Sequence, residues 1–183
     1  NAIRAALKDG GVDFAELEQA FAGYVYGDST CGQRAVYEVG ETGIPVFNVN
    51  NNCSTGSSAL MLAKQAIEGG VAECVLAVGF EQMEKGALQA KWNDRTNPLD
   101  RHAGVMNAVQ GLNAAPGAAQ MFGGAGREYR WKYGTKRETF AKVAEKARKH
   151  AAKNPFALFR ETYTVEEILA SPEVFDQLTR YQC

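Results

Sequence analysis

One cysteine in this chain stands where covalent chemistry is easily arranged. Cys53 lies inside "NVNNNCSTGSSALMLAKQAI", residues 48–67, where a β-branched apolar stretch gives way to a helical pattern. A helix start exposes main-chain N–H groups that lack intrahelical partners, and it carries the positive end of the helix dipole. Such a place favours an anionic side chain, and the thiolate is the nucleophilic form of a cysteine. Ser54, Thr55, Gly56, Ser57 and Ser58 follow, all of them small. They let a bulky substrate reach the sulfur and leave N–H groups free to stabilise an oxyanion. A lone cysteine ahead of a helix also serves well as a small core hydrophobe. Residue types alone leave both readings open.

The rest of the composition narrows the surroundings. The chain has 183 residues, 45% hydrophobic and 22% charged, enough for one generous domain or a domain with a large insertion. No apolar run reaches bilayer-spanning length, so no membrane span is expected. No basic stretch followed by an apolar core opens the sequence, so no signal peptide is expected either. The four cysteines (Cys31, Cys53, Cys74, Cys183) form no C-x-x-C pair, and His102 and His150 lack neighbouring ligand types. Free thiols in a reducing compartment, with no metal site, are the expectation. Charge is uneven: residues 1–88 carry five Lys/Arg against eleven Asp/Glu, and residues 91–160 carry fourteen against five. The basic stretch suits either an anionic ligand or a solvated helical face.

Positioning the thiol requires strands and helices in alternation. "NAIRAALKDGGV" reads as a short helix stopped by Gly10 and Gly11, and a helical turn in "FAELEQAF" leads into a strand around 20–26. "GDSTCGQ" is a loop, residues 33–41 form a helix, and "IPVFNVN" is a strand with Pro45 at its start. From Ser54 to Ile67 the helix is apolar on most faces, which predicts that it is buried. Gly69 and Gly70 end it, and "CVLAVGFE" is a continuously apolar strand. A largely parallel α/β sheet follows from that alternation. Beyond it, "KWNDRTNPLDRHAG" is polar and "NAAPGAAQMFGGAG" is rich in small residues. "TKRETFAKVAEKARKHAAKN" is an amphipathic helix with Phe140, Val143, Ala144 and Ala147 on one face. Thr164 and Glu167 stand as a capping box in "YTVEEILASPEVF". Residues 89–177 thus read as an insertion with its own small core.

"NVNNNCSTGSSALMLAKQAIEGG" with "CVLAVGFEQMEKG" resembles the nucleophile segment of thiolases, of the sterol-carrier-protein type. The likeness continues through "NDRTNPLDRHAG", "APGAAQMFGGAGREY", "KYGTKRETFAKVAEKARKH" and "NPFALFRETYTVEEILASPEVFDQLTRYQC", and so covers essentially the whole chain. It implies the thiolase fold, a layered α/β/α/β/α body, here represented only by its first half with the inserted loop domain. Residues 1–88 would be the N-terminal thiolase half, 89–177 the loop domain that binds coenzyme A, and 178–183 a return into the core sheet. The histidine that activates the nucleophile and the second acid/base cysteine would lie beyond Cys183, so residues 1–183 alone are expected to show no thiolase turnover.

The function so implied is a 3-oxoacyl-CoA thiolase, an acyltransferase of fatty-acid and branched-chain β-oxidation. Cys53 would take the acyl group as a thioester, with its own N–H donating to the oxyanion. Met121 and Gln120 would line the pantetheine and acyl channel, or simply pack in a core. Arg127, Arg130, Lys132, Lys136 and Arg137 are the candidates for the coenzyme A phosphates, with solvated helix faces as the alternative. Glu81 and Met83 are structural, and His102 and His150 are surface residues. Coenzyme A acts as a substrate, with no other cofactor. Acyl-CoA and coenzyme A are the partners, with a homodimer contact near "VFNVNNN" and no nucleic acid. A peroxisomal location is implied, or a cytoplasmic one in a bacterium. The competing possibility is a catalytically silent relative that binds acyl-CoA or lipid.

Overall fold

A computed structural model describes residues 1–183, and they fall into two compact units, 1–93 and 94–183. No helix is long and apolar enough to cross a membrane.

The first unit begins with α1 (Ala2–Gly10), which stops where Gly11 takes a left-handed conformation that a side chain would resist. A 3-10 turn over Phe14–Glu16 is held by a capping box on Asp13 and leads into β1 (Gln19–Gly23). Then come α2 (Cys31–Tyr37), β2 (Val46–Val49), α3 (Thr55–Glu68) and β3 (Val75–Gly79). The three strands are parallel, with β1 in the centre between β2 and β3.

Alternation along β1 sends its residues to two faces. Ala20 joins Ile3, Leu17, Val36 and Leu76 in a core beneath α1 and α2. Phe21, on the opposite face, joins Ala59, Ala63 and Ala66 of α3. The sheet is therefore covered by helices on both sides, the arrangement a parallel sheet requires.

The helix α3 departs from expectation. Its buried positions are Thr55, Ala59, Ala63 and Ala66, a narrow stripe of small residues at three- and four-residue spacing. Leu60, Met61 and Ile67 lie exposed on the outer side. Alanines face the sheet because they let the helix axis come close to Phe21. The helix is apolar on most faces, yet its fully buried face is made of small residues, with Leu62 half-buried beside them.

α2 approaches the sheet just as closely. A Cβ on Gly32 would lie 2.6 Å from the Ala22 Cβ and would also collide with Asn48 Oδ1. The bare Gly32 N–H instead donates to Asn48 Oδ1 at 2.9 Å.

The second unit carries α4 (Asp100–Gln110), α5 (Gly117–Tyr133), α6 (Arg137–Ala151) and α7 (Val165–Ala170). An antiparallel pair, β4 (Glu173–Phe175) and β5 (Leu178–Thr179), follows. The Thr164–Glu167 capping box forms with both of its hydrogen bonds. The stretch rich in small residues is a 17-residue helix, α5, despite the helical cost of glycine. Close packing outweighs that cost: a Cβ on Gly123 would stand 2.8 Å from the Phe175 ring. On α6, Phe140, Val143, Ala144 and Ala147 border an open cavity, and the fully buried residue is Ala141. Leu178 and Thr179 pair with β4, and the Thr179 hydroxyl donates to the Ile168 carbonyl at 2.7 Å, so this tail belongs to the second unit. The two compact units divide between residues 93 and 94.

Gly32→Ala is expected to destabilise the protein by about 1–3 kcal/mol through overpacking. Gly56→Ala, where nothing lies within 4 Å of the added carbon, should be neutral or stabilising. Thermal melts of the two variants give the check: similar midpoints would contradict the close packing of α2.

Candidate active site

Cys53 stands beyond the carboxyl end of β2, one residue before Ser54, the N-cap of α3. Ligands of open parallel sheets characteristically meet the protein at this edge. The side chain is exposed, not packed among aliphatic residues.

Its backbone is held by a small polar network. Asn52 takes a left-handed conformation, φ 47°, which asparagine tolerates better than most residues. Thr55, only 5% exposed, lies beneath the turn. Its hydroxyl oxygen accepts from the Asn51 N–H at 2.8 Å, and its hydroxyl proton goes to the Asn52 carbonyl at 2.6 Å. Asn51 Nδ2 donates to Ser58 Oγ at 2.9 Å, and Asn50 Oδ1 accepts from the Asn52 N–H. The asparagines around the cysteine therefore build the turn that presents it.

The helix start stays uncapped by any side chain. Ser54 Oγ donates backwards to the Asn51 carbonyl at 2.8 Å and so turns away from the first-turn N–H groups. An exposed thiol thus precedes main-chain donors with no side chain competing for them. Small neighbours make the close fit possible: a Cβ on Gly23, at the end of β1, would lie 2.9 Å from Thr55 Cγ2.

Other residues share this edge of the sheet. The Glu81 carboxylate, just after β3, accepts from the N–H groups of Val25 and Tyr26 at 2.9 and 3.4 Å. It ties two strand ends together, the work of a structural residue. Met83 is exposed.

In the second unit the two channel candidates part company. Met121 faces a groove of about 950 Å³ between α4 and α5, with Arg101, His102, Met106 and Trp131 around it. Gln120 is buried, and its amide is fully engaged: Nε2 donates to the carbonyls of Asn113 and Ala115, and Oε1 accepts from the Asn113 N–H. It braces the loop between the two helices. Arg101, on the rim of the Met121 groove, was not among the candidate cations, because one arginine in a polar stretch carries no periodic signal.

The five candidate cations also separate. Arg127, Arg130 and Arg137 converge on the β4–β5 turn. Arg127 pairs with Asp176 at 2.6 Å, Arg130 donates to Gln177 Oε1 at 2.6 Å, and Arg137 donates to the Gln177 carbonyl at 3.2 Å. Lys132 lies over the Tyr133 ring and Lys136 is the exposed N-cap of α6. His102 and His150 are exposed helical residues. At the start of the unit, Arg95 holds the Asp94 carboxyl below its usual range. Near its end, Tyr163 is pushed above the usual phenol range, chiefly by its hydrogen bond with Tyr181.

A parallel α/β unit with a thiol on its strand-to-helix turn, followed by a helical unit, defines the class of fold. Residues 1–181 match the family model "Thiolase, N-terminal domain", and the chain belongs to the thiolase family. It is 56% identical over 179 residues to "Sterol carrier protein 2" of Oryctolagus cuniculus, covering 97% of this chain and 33% of that protein. It is 43% identical to "Non-specific lipid-transfer protein-like 2" of Caenorhabditis elegans, covering 100% of this chain and 45% of that one. The chain thus spans a third to a half of the length of these relatives. Among solved structures, "Ltp2-ChsH2(DUF35) aldolase" superposes with a TM-score of 0.69 at 21% identity, over 98% of this chain and 44% of that one. That likeness concerns the fold.

Cys53 and Cys183 are both exposed, but only Cys53 precedes an uncapped helix. Iodoacetamide near neutral pH is expected to alkylate Cys53 about tenfold faster than Cys183. Peptide mass spectrometry over time reads both rates, and equal rates would show that the helix start does nothing for the thiol.

Proposed function

We propose that this chain carries the nucleophile of an acyl-CoA acyltransferase that cleaves 3-oxoacyl-CoA thioesters. The observation that carries this reading is the exposed Cys53, held on a left-handed turn ahead of an uncapped helix. Membership of the thiolase family supports it.

In the degradative direction the Cys53 sulfur attacks the 3-oxo carbon. The bond between C2 and C3 then breaks, and its electron pair leaves with C2 as the enolate of acetyl-CoA or propionyl-CoA, which is protonated. The shortened acyl group remains on Cys53 as a thioester. A second coenzyme A thiol attacks that carbonyl, releases the new acyl-CoA and returns the cysteine. Main-chain N–H groups, that of Cys53 first, stabilise the oxyanion, and one such donor is worth about 3 kcal/mol. Splitting one hard step into two acyl transfers is the gain from the covalent intermediate.

Arg101, on the rim of the Met121 groove, and the exposed Lys132 and Lys136 are the cations proposed for the coenzyme A phosphates. Turnover is proposed for the protein that carries this chain together with the activating histidine and second cysteine of the family pattern. A second copy covering the edge strand β2, where Phe47 is half exposed, belongs to the same reading. Sedimentation of the purified protein over a concentration range tests that assembly.

A second reading is favoured by the names of the relatives, a sterol carrier and a lipid-transfer protein: binding of acyl-CoA or lipid without turnover. The purified protein incubated with a 3-oxoacyl-CoA distinguishes the two. A mass increment equal to the shortened acyl group is expected on the Cys53 peptide, and Cys53→Ser should lower turnover on the order of a thousandfold or more. Acyl-CoA binding without any adduct at Cys53 would leave the silent binder standing.

A further inference from the structure

The second unit holds a cavity of about 620 Å³ that acyl transfer at Cys53 does not use. Its volume lies in the ordinary range for small-molecule sites. It lies between α5, α6, the 157–159 segment and the β4–β5 turn, on another side of α5 from Met121.

Two chemistries meet in it. One wall is apolar and largely open to solvent: Val143, Leu158 and Phe159 are 64%, 87% and 61% exposed. The opposite end is cationic, since Arg127, Arg130, Arg137 and Arg148 all border the cavity and Asp176 is the one acidic side chain among its lining residues. Arg127 is neutralised by Asp176, and Arg148 lies over the rings of Phe159 and Tyr163. Arg130 and Arg137 donate only to neutral oxygens, those of Thr135 and Gln177. Arg137 Nε is shut off from solvent with no hydrogen-bond partner at all. A buried guanidinium donor without an acceptor is costly, and a planar fork of this kind is matched by a carboxylate.

We propose that this cavity binds a long-chain carboxylate, a fatty-acid anion, with its headgroup on Arg137 and Arg130 and its chain along Val143, Leu158 and Phe159. The headgroup supplies the anionic partner that the guanidinium groups of Arg130 and Arg137 lack, and the chain covers the exposed apolar wall. A polyphosphate would gain nothing from that wall, and an uncharged lipid would leave the arginines unmatched. The site is independent of acyl transfer at Cys53, so either can fail alone.

Calorimetric titration of the purified protein with oleate, oleyl alcohol, acetate and inorganic phosphate tests it. Oleate is expected to bind at least about tenfold more tightly than each of the other three, because only oleate offers both charge and chain. Arg137→Gln should weaken oleate about tenfold while the alkylation rate of Cys53 stays unchanged. Val143→Trp fills the cavity at an exposed position that tolerates bulk, and it should abolish oleate binding even if the arginine variant folds poorly. Equal affinity for oleate and oleyl alcohol, phosphate binding as tight as oleate, or oleate binding untouched by Val143→Trp would each overturn the assignment.

Discussion

The hydroxyl of Thr55 is the group on which the presentation of Cys53 depends. Buried beneath the turn, it bonds the Asn51 N–H and the Asn52 carbonyl at once. Each such bond contributes a net of about 1 kcal/mol, and leaving one of the partners unmet costs about 1–3 kcal/mol. The left-handed Asn52 costs on the order of 1 kcal/mol. The two bonds exceed the strain, so the turn holds its shape without help from the cysteine. Cys53 is then free of structural duty and open to solvent.

That clasp is placed by the sheet beneath it. Thr55 is the first residue of the buried stripe of α3, so the packing of Ala59, Ala63 and Ala66 on Phe21 also sets its height above β1. Gly23 supplies the room, since any larger residue there would press on Thr55 Cγ2. From the other face, Asn48 Oδ1 takes the Gly32 N–H, and Asn48 Nδ2 donates to Gln33 Oε1 at 2.8 Å. The strand that leads to the turn is thus fixed to α2 as well as to β1. Small residues at 22, 23, 32, 59, 63 and 66 are what allow both helices to come so near.

Much of this was legible in the residues, and the misses have physical causes. Alternating apolar runs and glycine stops marked the strands and helices of the first unit, and the Thr164–Glu167 pair marked a helix start outright. The thiol ahead of a helix was visible, but the service of Thr55 was not, because a threonine in a run of small polar residues carries no periodic signal. α3 misled in the opposite way: its large apolar residues suggested burial, and the alanines were the ones buried. α5 hid behind its glycines, of which Gly123 packs closely on Phe175 and Gly124 on Gln110, contacts that its own sequence does not show. Likewise the basic residues of 127–137 looked interchangeable. Only their three-dimensional partners separate the arginines gathered on the β4–β5 turn from the exposed lysines.

Comparing Thr55→Val with Thr55→Ser tests the clasp most directly, with the alkylation rate of Cys53 under native conditions as the readout. Valine keeps the shape and loses both hydrogen bonds; serine keeps the hydroxyl. The account predicts that serine preserves the rate of the unsubstituted protein and that valine lowers it several-fold, with the fold intact by circular dichroism. A folded valine variant whose Cys53 reacts as fast as the original would contradict it.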